Sequence, residues 1–217
     1  MTTANSVLMD EAKASLKGKW KFVVKVTLIV VLINVITGFI PVLGSIAQFL
    51  INGPLLVGSA IIYLAIIHNE KTELSQLFEG FDNWTRYFIA YLLRGLYTFL
   101  WFLLLIIPGI VYTLAYSQTF FILAEDKNIS PRDAIRKSKE MMKGYKWKLF
   151  RLMLRFAGWI ILCILTLGIG FLWLFPYIYA TAAKFYEDIK PKTEPELESI
   201  IETEVIEIEV VQKDNNS

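Results

Sequence analysis

Residues 84–126 read WTRYFIAYLLRGLYTFLWFLLLIIPGIVYTLAYSQTFFILAED, and this stretch decides the fold class. A tryptophan beside basic residues opens it, a long apolar run follows, Pro108-Gly109 interrupts the run, and an acidic pair ends it. Apolar runs of this length are typical of membrane-spanning helices, and a Pro-Gly pair is a strong turn signal. The stretch therefore predicts a transmembrane helical hairpin.

The same pattern occurs three times at nearly even spacing. Its opening tryptophans are Trp20, Trp84 and Trp147, which gives steps of 64 and 63 residues. A fixed period indicates one structural unit used repeatedly. We therefore predict an all-α polytopic membrane protein with six transmembrane helices and a pseudo-threefold repeat. The three predicted hairpins cover residues 22–67, 87–124 and 149–186.

Composition agrees with a membrane protein. The chain is 55% hydrophobic and 19% charged, whereas soluble domains are about 45–50% apolar and about 25% charged. One cysteine, Cys163, excludes an internal disulfide framework, and one histidine, His68, excludes a histidine-cluster metal site. We expect no metal, no cofactor and no nucleic-acid partner.

Charge is distributed unevenly. Residues 1–186 carry 19 Lys/Arg and 10 Asp/Glu, net +9, whereas residues 187–217 carry 3 and 10, net −7. The breaks within the hairpins are uncharged, and Lys and Arg gather at the termini and in the 68–86 and 125–151 connections. The positive-inside rule then places both termini and both connections in the cytoplasm. The predicted regions are a cytoplasmic amphipathic segment (1–21), a membrane domain (22–189) and an acidic, mostly disordered cytoplasmic tail (190–217).

The first hairpin differs from the others. Asn52-Gly53-Pro54 interrupts its return, and proline predicts a break or kink there. Measured back from its acidic stop, the return begins at Pro54. Residues 41–53 then form an apolar insertion that either lengthens the helix or makes a re-entrant turn. The remaining returns hold about fifteen residues where a straight crossing needs about twenty, which indicates local thinning or helices that end inside the interface.

Residues 131–143 predict a cytoplasmic amphipathic helix. Ser130 suits the N-cap, Pro131 suits the first helical position and Gly144 suits the stop. Basic residues occupy one face, and the other face carries Ala134, Ile135, Ser138, Met141 and Met142. We expect this helix to lie on the inner leaflet.

Several short stretches carry a family resemblance. They are GPL at 53–55, LFEGF at 77–81, LIIPG at 105–109, SKEMMKG at 138–144, WKLF at 147–150, LGIG at 167–170 and PY at 176–177. Together they resemble the bacterial integral membrane family known as domain of unknown function 975, over roughly residues 12–188. The resemblance implies a multi-pass protein of the cytoplasmic membrane, mostly in Gram-positive bacteria. It implies no established activity, substrate or catalytic residue.

Arg94 is the most unusual residue because it lies inside an apolar run. An arginine at the centre of a membrane helix costs about 2.5–3.5 kcal/mol on insertion scales, although a long side chain avoids much of this by snorkelling. Three interpretations stay open: a snorkelling contact with a lipid phosphate, an anion-binding cavity, or pairing with a carboxylate such as Glu125.

A run of cations around the third hairpin predicts contact with anionic lipid headgroups. Arg151 and Arg155 are four residues apart, so they share a helix face. Topology determination is the structural alternative. The full set of candidate lipid or anion contacts is Arg94, Arg132, Arg136, Lys139, Lys143, Lys146, Lys148, Arg151 and Arg155.

The sequence holds no recognisable catalytic motif: HExxH, GxSxG and GxxxxGK[ST] are all missing from it. We therefore expect a non-enzymatic, lipid-contacting scaffold or modulator in the bacterial cell envelope, with the acidic tail competing with anionic lipid for the basic residues. The alternative is a small transporter or exporter of an anionic or amphiphilic solute, since short, Gly/Pro-interrupted repeats resemble transporter binding sites.

Overall fold

A computed structural model describes residues 3–40 and 42–191, and in this part of the chain the secondary structure is entirely helical. The predicted all-α class is therefore confirmed. The helices are α1 (Asn5–Ser15), α2 (Trp20–Gly38), α3 (Leu43–Ile67), α4 (Trp84–Leu104), α5 (Ile106–Ala115), α6 (Thr119–Glu125), α7 (Pro131–Met141), α8 (Lys146–Leu165) and α9 (Phe171–Ile189). The predicted acidic tail beyond Pro191 lies outside the described residues.

Four helical segments in the described residues are long and apolar enough to cross a membrane. They are Trp20–Gly38, Leu43–Ile67, Trp84–Leu104 and Ile106–Glu125. The last of these combines α5 and α6. Helices α8 and α9 are as long as the others but contain several charged residues, among them Arg151, Arg155 and Lys184. The structure thus supports a membrane protein through its four apolar helices.

Helix α3 passes through Pro54 without interruption. The break predicted at 52–54 is wrong, and the alternative in which residues before Pro54 lengthen the helix is right from Leu43 onward. Tertiary packing accounts for this: Gly53 lies against the backbone of Tyr87 in α4, where a Cβ atom would stand 2.7 Å from the Tyr87 carbonyl oxygen. The helical turn of α3 that contains Pro54 is therefore held by its packing against α4.

Two short 3-10 helices, Leu74–Leu77 and Glu79–Phe81, pack flush on α3. A Cβ atom on Gly58 would lie 2.0 Å from the carbonyl oxygen of Leu77, and one on Gly80 would lie 2.0 Å from that of Pro54. Only glycine permits such approach of two backbones. The stretches GPL and LFEGF, far apart in sequence, therefore meet at one packing contact.

The apolar segment Ile106–Glu125 is broken between α5 and α6. Ser138 of α7 completes the hydrogen bonding at this break. Its hydroxyl donates to the carbonyl of Ala115 (2.8 Å) and accepts from the backbone N–H of Gln118 (3.2 Å). The break is thus held by a side chain that arrives from the neighbouring helix.

The N-terminal segment forms α1, and the face that carries Leu8 and Ala12 packs against α9. Leu8, Ala12 and Leu16 are fully buried. The segment is fastened further where the backbone N–H of Thr3 donates to Asp188 (2.8 Å). Helix α1 is therefore part of the folded domain.

Three turns between long helices expose apolar side chains. We call these turns the first tip (35–40 and 42–46), the second tip (99–111) and the third tip (159–173). None of them contains a charged residue, and Phe39, Ile107 and Leu167 are 82%, 76% and 94% exposed. Such patches are unfavourable in water and mark a surface meant for an apolar environment.

Candidate lipid-contacting surface

Arg94 is the eleventh of the 21 residues of α4, so it lies about 15 Å from either end of that helix. Its side chain turns toward the bundle. The guanidinium carbon lies 4.9 Å from the centre of the Phe120 ring in α6. A cation over an aromatic face is stabilised by the ring quadrupole.

Glu125 is not the partner of Arg94. Glu125 accepts a hydrogen bond from the Tyr186 hydroxyl (2.5 Å) and forms an ion pair with Lys190. The proposed Arg94–Glu125 pair is therefore wrong, because α9 supplies nearer partners for this carboxylate. Within residues 3–40 and 42–191, Arg94 makes neither a hydrogen bond nor an ion pair.

A groove of about 660 Å³ runs beside Arg94. Its wall is mostly apolar and includes Phe49 of α3 together with Leu92, Phe99 and Phe102 of α4. Ligand sites commonly combine such walls with one or two charged groups. One guanidinium in an apolar groove suits an anion that carries a hydrocarbon chain. We call this feature the Arg94 groove.

Apart from Lys148, the remaining candidate cations, all exposed except the half-buried Lys146, form a set that we call the basic surface. It comprises Arg132, Arg136, Lys139, Lys143, Lys146, Arg151 and Arg155. Among the described residues, the only ion pair in this set joins Arg136 to Asp133 at 2.7 Å. The ammonium groups of Lys139 and Lys146 each lie 5.5 Å from the Tyr112 ring. Most of these charges are thus free to meet an external anion.

Lys148 does not belong to the basic surface, although the sequence placed it there. Its side chain is 11% exposed and forms an ion pair with Asp188, which is 7% exposed. Because α8 and α9 are antiparallel neighbours, the first turn of one helix meets the last turn of the other. Lys148 is therefore a structural residue, which corrects its assignment as a lipid contact.

Helix α7 has the predicted faces, but its apolar face does not meet lipid. Ala134, Ile135, Ser138 and Met141 are buried against α4, α5 and α6. Protein therefore covers the apolar face of α7, and the position of this helix on the inner leaflet stays a prediction. The cap at Ser130 is confirmed by the hydrogen bond that it accepts from the backbone N–H of Asp133 (3.2 Å).

Sequence reasoning missed the role of Ser138 as the clamp on the α5–α6 break. The available signal was a hydroxyl on an otherwise apolar helix face, because a buried polar group needs a partner. The distance of Ser138 from Ala115 along the chain hid which group it would bind.

Comparison with known proteins identifies only the family of this chain. The model of the family described as "Protein of unknown function (DUF975)" matches residues 1–113 and 101–193. Neither a curated protein nor a solved structure matches the chain. The two matched ranges cover most of the 217 residues. The chain therefore belongs to the family of proteins of unknown function DUF975.

Proposed function

We propose that this protein is a non-enzymatic membrane protein that contacts anionic lipid and acts as a scaffold or modulator in the bacterial cell envelope. Its membrane part is three inserted hairpins, formed by the six helical segments α2, α3, α4, α5–α6, α8 and α9. Both termini and both long connections lie on the cytoplasmic side of the cytoplasmic membrane, as the distribution of Lys and Arg indicates.

The observation that carries this proposal is the basic surface beside the apolar tips. Arg151 and Arg155 are exposed on α8, and that helix runs directly into the third tip. Neither arginine forms an ion pair within the described residues. A cation near an anionic lipid surface gains about 1 kcal/mol. These two side chains are therefore placed to bind phosphate groups while the tip enters hydrocarbon.

Lipid preference tests the proposal. Full-length protein is purified in nanodiscs that contain equal amounts of phosphatidylglycerol and phosphatidylcholine, and the lipids that remain bound after detergent exchange are counted by native mass spectrometry. We expect enrichment of phosphatidylglycerol, reduced about thirtyfold in the double variant Arg151→Gln/Arg155→Gln if each contact contributes about 1 kcal/mol.

A charge-matched control is Lys17→Gln/Lys71→Gln, because both lysines are exposed and lie outside the basic surface. The control should keep the enrichment. Equal lipid selection by the wild type and both double variants would reject the basic surface as a lipid contact.

A second function, transport of an anionic amphiphile, is favoured by the inward turn of Arg94 and by the groove beside it. It predicts that liposomes containing the protein release a fluorescent long-chain carboxylate faster than empty liposomes. Arg94→Gln should abolish the acceleration, and Arg94→Lys should retain part of it because the charge remains. Identical release from empty liposomes would exclude this function.

A further inference from the structure

Charged parts of the fold lie beside the middle of the long apolar helices, and this limits how deep the hairpins reach. From these contacts we infer that none of the three hairpins crosses the bilayer. Each hairpin dips into one leaflet and returns, so the tips end inside the hydrocarbon. The inference rests on the membrane location proposed above and replaces the full crossings predicted from the sequence.

The connection between α3 and α4 limits the first hairpin. Gly80 abuts Pro54 of α3, and the adjacent Glu79 forms an ion pair with Lys127 at 3.5 Å, with the two side chains 35% and 61% exposed. Pro54 lies 13 residues before the end of α3 at Ile67. If all of α3 crossed the bilayer, this exposed ion pair would stand about 20 Å below the membrane surface. Charges at that depth are strongly unfavourable.

The lipid headgroups therefore lie at the level of Pro54 or closer to the first tip. Residues 43–53 are then the part of α3 available to hydrocarbon, about 16 Å at 1.5 Å per residue. The hydrocarbon core is about 30 Å thick. Helix tilt only shortens the depth reached, so the first tip stops near the bilayer centre.

Helix α7 limits the second hairpin in the same way. Ile135 packs in a cluster with Tyr97 of α4, and the exposed Lys139 lies with its ammonium 5.5 Å from the ring of Tyr112 in α5. Beyond Tyr97, α4 continues only to Leu104, about 10 Å. The uncharged part of this hairpin thus matches half of a hydrocarbon core or less.

The third hairpin carries charges on both sides. Arg155 is exposed ten residues before the end of α8 at Leu165, which leaves about 15 Å of uncharged helix. On the side of α1, Lys13 lines a cavity of about 400 Å³ together with Trp159 and Tyr177. A cation therefore shares a cavity with this hairpin.

The turn of the third tip has the backbone bonding that hydrocarbon requires. Every backbone N–H from Thr166 to Leu174 donates a hydrogen bond within the turn, and that of Gly170 uses the Thr166 hydroxyl (3.3 Å). Unpaired backbone groups are costly in lipid but harmless in water. An internally bonded turn around Leu167, which is 94% exposed, therefore fits a tip that stays in the membrane.

Two-sided cysteine labelling tests this inference. The full-length chain with Cys163→Ser is expressed in a bacterial inner membrane, with single cysteines introduced by Phe39→Cys, Leu167→Cys or the control Lys71→Cys, all at exposed positions. Spheroplasts and inside-out vesicles are treated with a maleimide that cannot cross membranes. We expect Lys71→Cys to be labelled from one side only, and both tip cysteines to be labelled from neither side until detergent is added.

Labelling of either tip from the side opposite to Lys71→Cys would overturn the inference and establish a crossing. Labelling of the tips from the same side as Lys71→Cys would also overturn it, because the tips would then be in water. Extraction of the protein by a carbonate wash would contradict the proposed membrane function. A failure of the inference alone is thus distinguishable from a failure of the proposed function.

Discussion

The indole N–H of Trp84 donates a hydrogen bond to the backbone carbonyl of Leu50, with 3.2 Å between nitrogen and oxygen. Trp84 is the first residue of α4, whereas Leu50 lies well inside α3, 17 residues before its end. Helix α4 therefore starts beside the middle of α3. This offset brings charged connections to the level of a helix that contains no charged residue.

The first prediction concerns the buried ion pair of Lys148 and Asp188. Asp188→Asn or Lys148→Met leaves one charge buried without its partner, which typically costs about 3–5 kcal/mol. Each single variant should therefore unfold at a clearly lower temperature in detergent, measured by circular dichroism. The double variant should be more stable than either single one. Single variants as stable as the wild type would show that the pair is not closed in solution.

The same pair predicts a dependence of stability on pH. Burial alone would raise the pKa of Asp188, but hydrogen bonds from Lys148 and Thr3 and the charge of Lys148 together hold it below its ordinary value. The carboxylate is therefore stabilising above the unfolded-state pKa of about 3.9. This contribution disappears as the pH falls through the lower folded-state value. The difference in the free energy of unfolding between wild type and Asp188→Asn should be constant near neutral pH and should shrink below about pH 4. A difference that grows there would contradict the account.

The second structural prediction concerns Ser138. Ser138→Ala removes the two hydrogen bonds that the Ser138 hydroxyl makes at the α5–α6 break. The buried carbonyl of Ala115 and the buried N–H of Gln118 are then left unpaired. We expect a loss of about 1–3 kcal/mol in the free energy of unfolding. Ser75→Ala, at an exposed serine, should change it by less than about 0.5 kcal/mol. Equal effects of the two changes would show that Ser138 is not a clamp.

The close packing of the α3–α4 connection on α3 predicts that two Gly→Ala substitutions have opposite effects on the free energy of unfolding. Gly58→Ala would place a methyl group 2.0 Å from a backbone oxygen, whereas Gly158→Ala meets no atom within 4 Å. The first should destabilise by about 1–3 kcal/mol through overpacking. The second should be neutral or stabilising by up to about 1 kcal/mol through helix propensity. Thermal unfolding of both variants decides the point, and a neutral Gly58→Ala would contradict the packing.

The acidic tail predicts an electrostatic effect that salt weakens. Truncation after Pro191 removes eight acidic and two basic residues and keeps Lys190, which pairs with Glu125. If the tail competes with lipid for the basic surface, truncation should raise the enrichment of phosphatidylglycerol at about 0.05 M salt and change little at about 1 M. Unchanged lipid selection at low salt would reject this competition.

The sequence was sufficient for the turn before α9, because backbone chemistry determines it locally: the turn from Leu165 to Phe171 follows from its glycines. The break predicted at Pro108-Gly109 is misplaced, because α4 ends at Leu104 and both residues lie in the first turn of α5. The continuous α3 could not be predicted in this way, because packing of Gly53 against α4 compensates for what Pro54 costs.

The site was predicted less well than the fold, for a physical reason. An apolar pattern shows which helix face avoids water, but either protein or lipid can cover that face. The burial of Ile135 against α4 therefore could not be predicted. Likewise, a lysine on a basic stretch shows no sign of its distant partner, and Lys148 meets Asp188 only after α8 and α9 fold together. Exposed cations such as Arg151 needed no tertiary partner and were identified from sequence alone.

The depth of the third tip tests the central claim most directly. A fluorophore attached to Leu167→Cys, in the Cys163→Ser chain, is quenched in liposomes by lipids that carry a nitroxide at the headgroup, at the middle of the acyl chain or at its end. The account predicts the strongest quenching by the nitroxide at the chain end, which places the tip near the bilayer centre. Strongest quenching by the headgroup nitroxide would place the tip at a membrane surface and contradict the account.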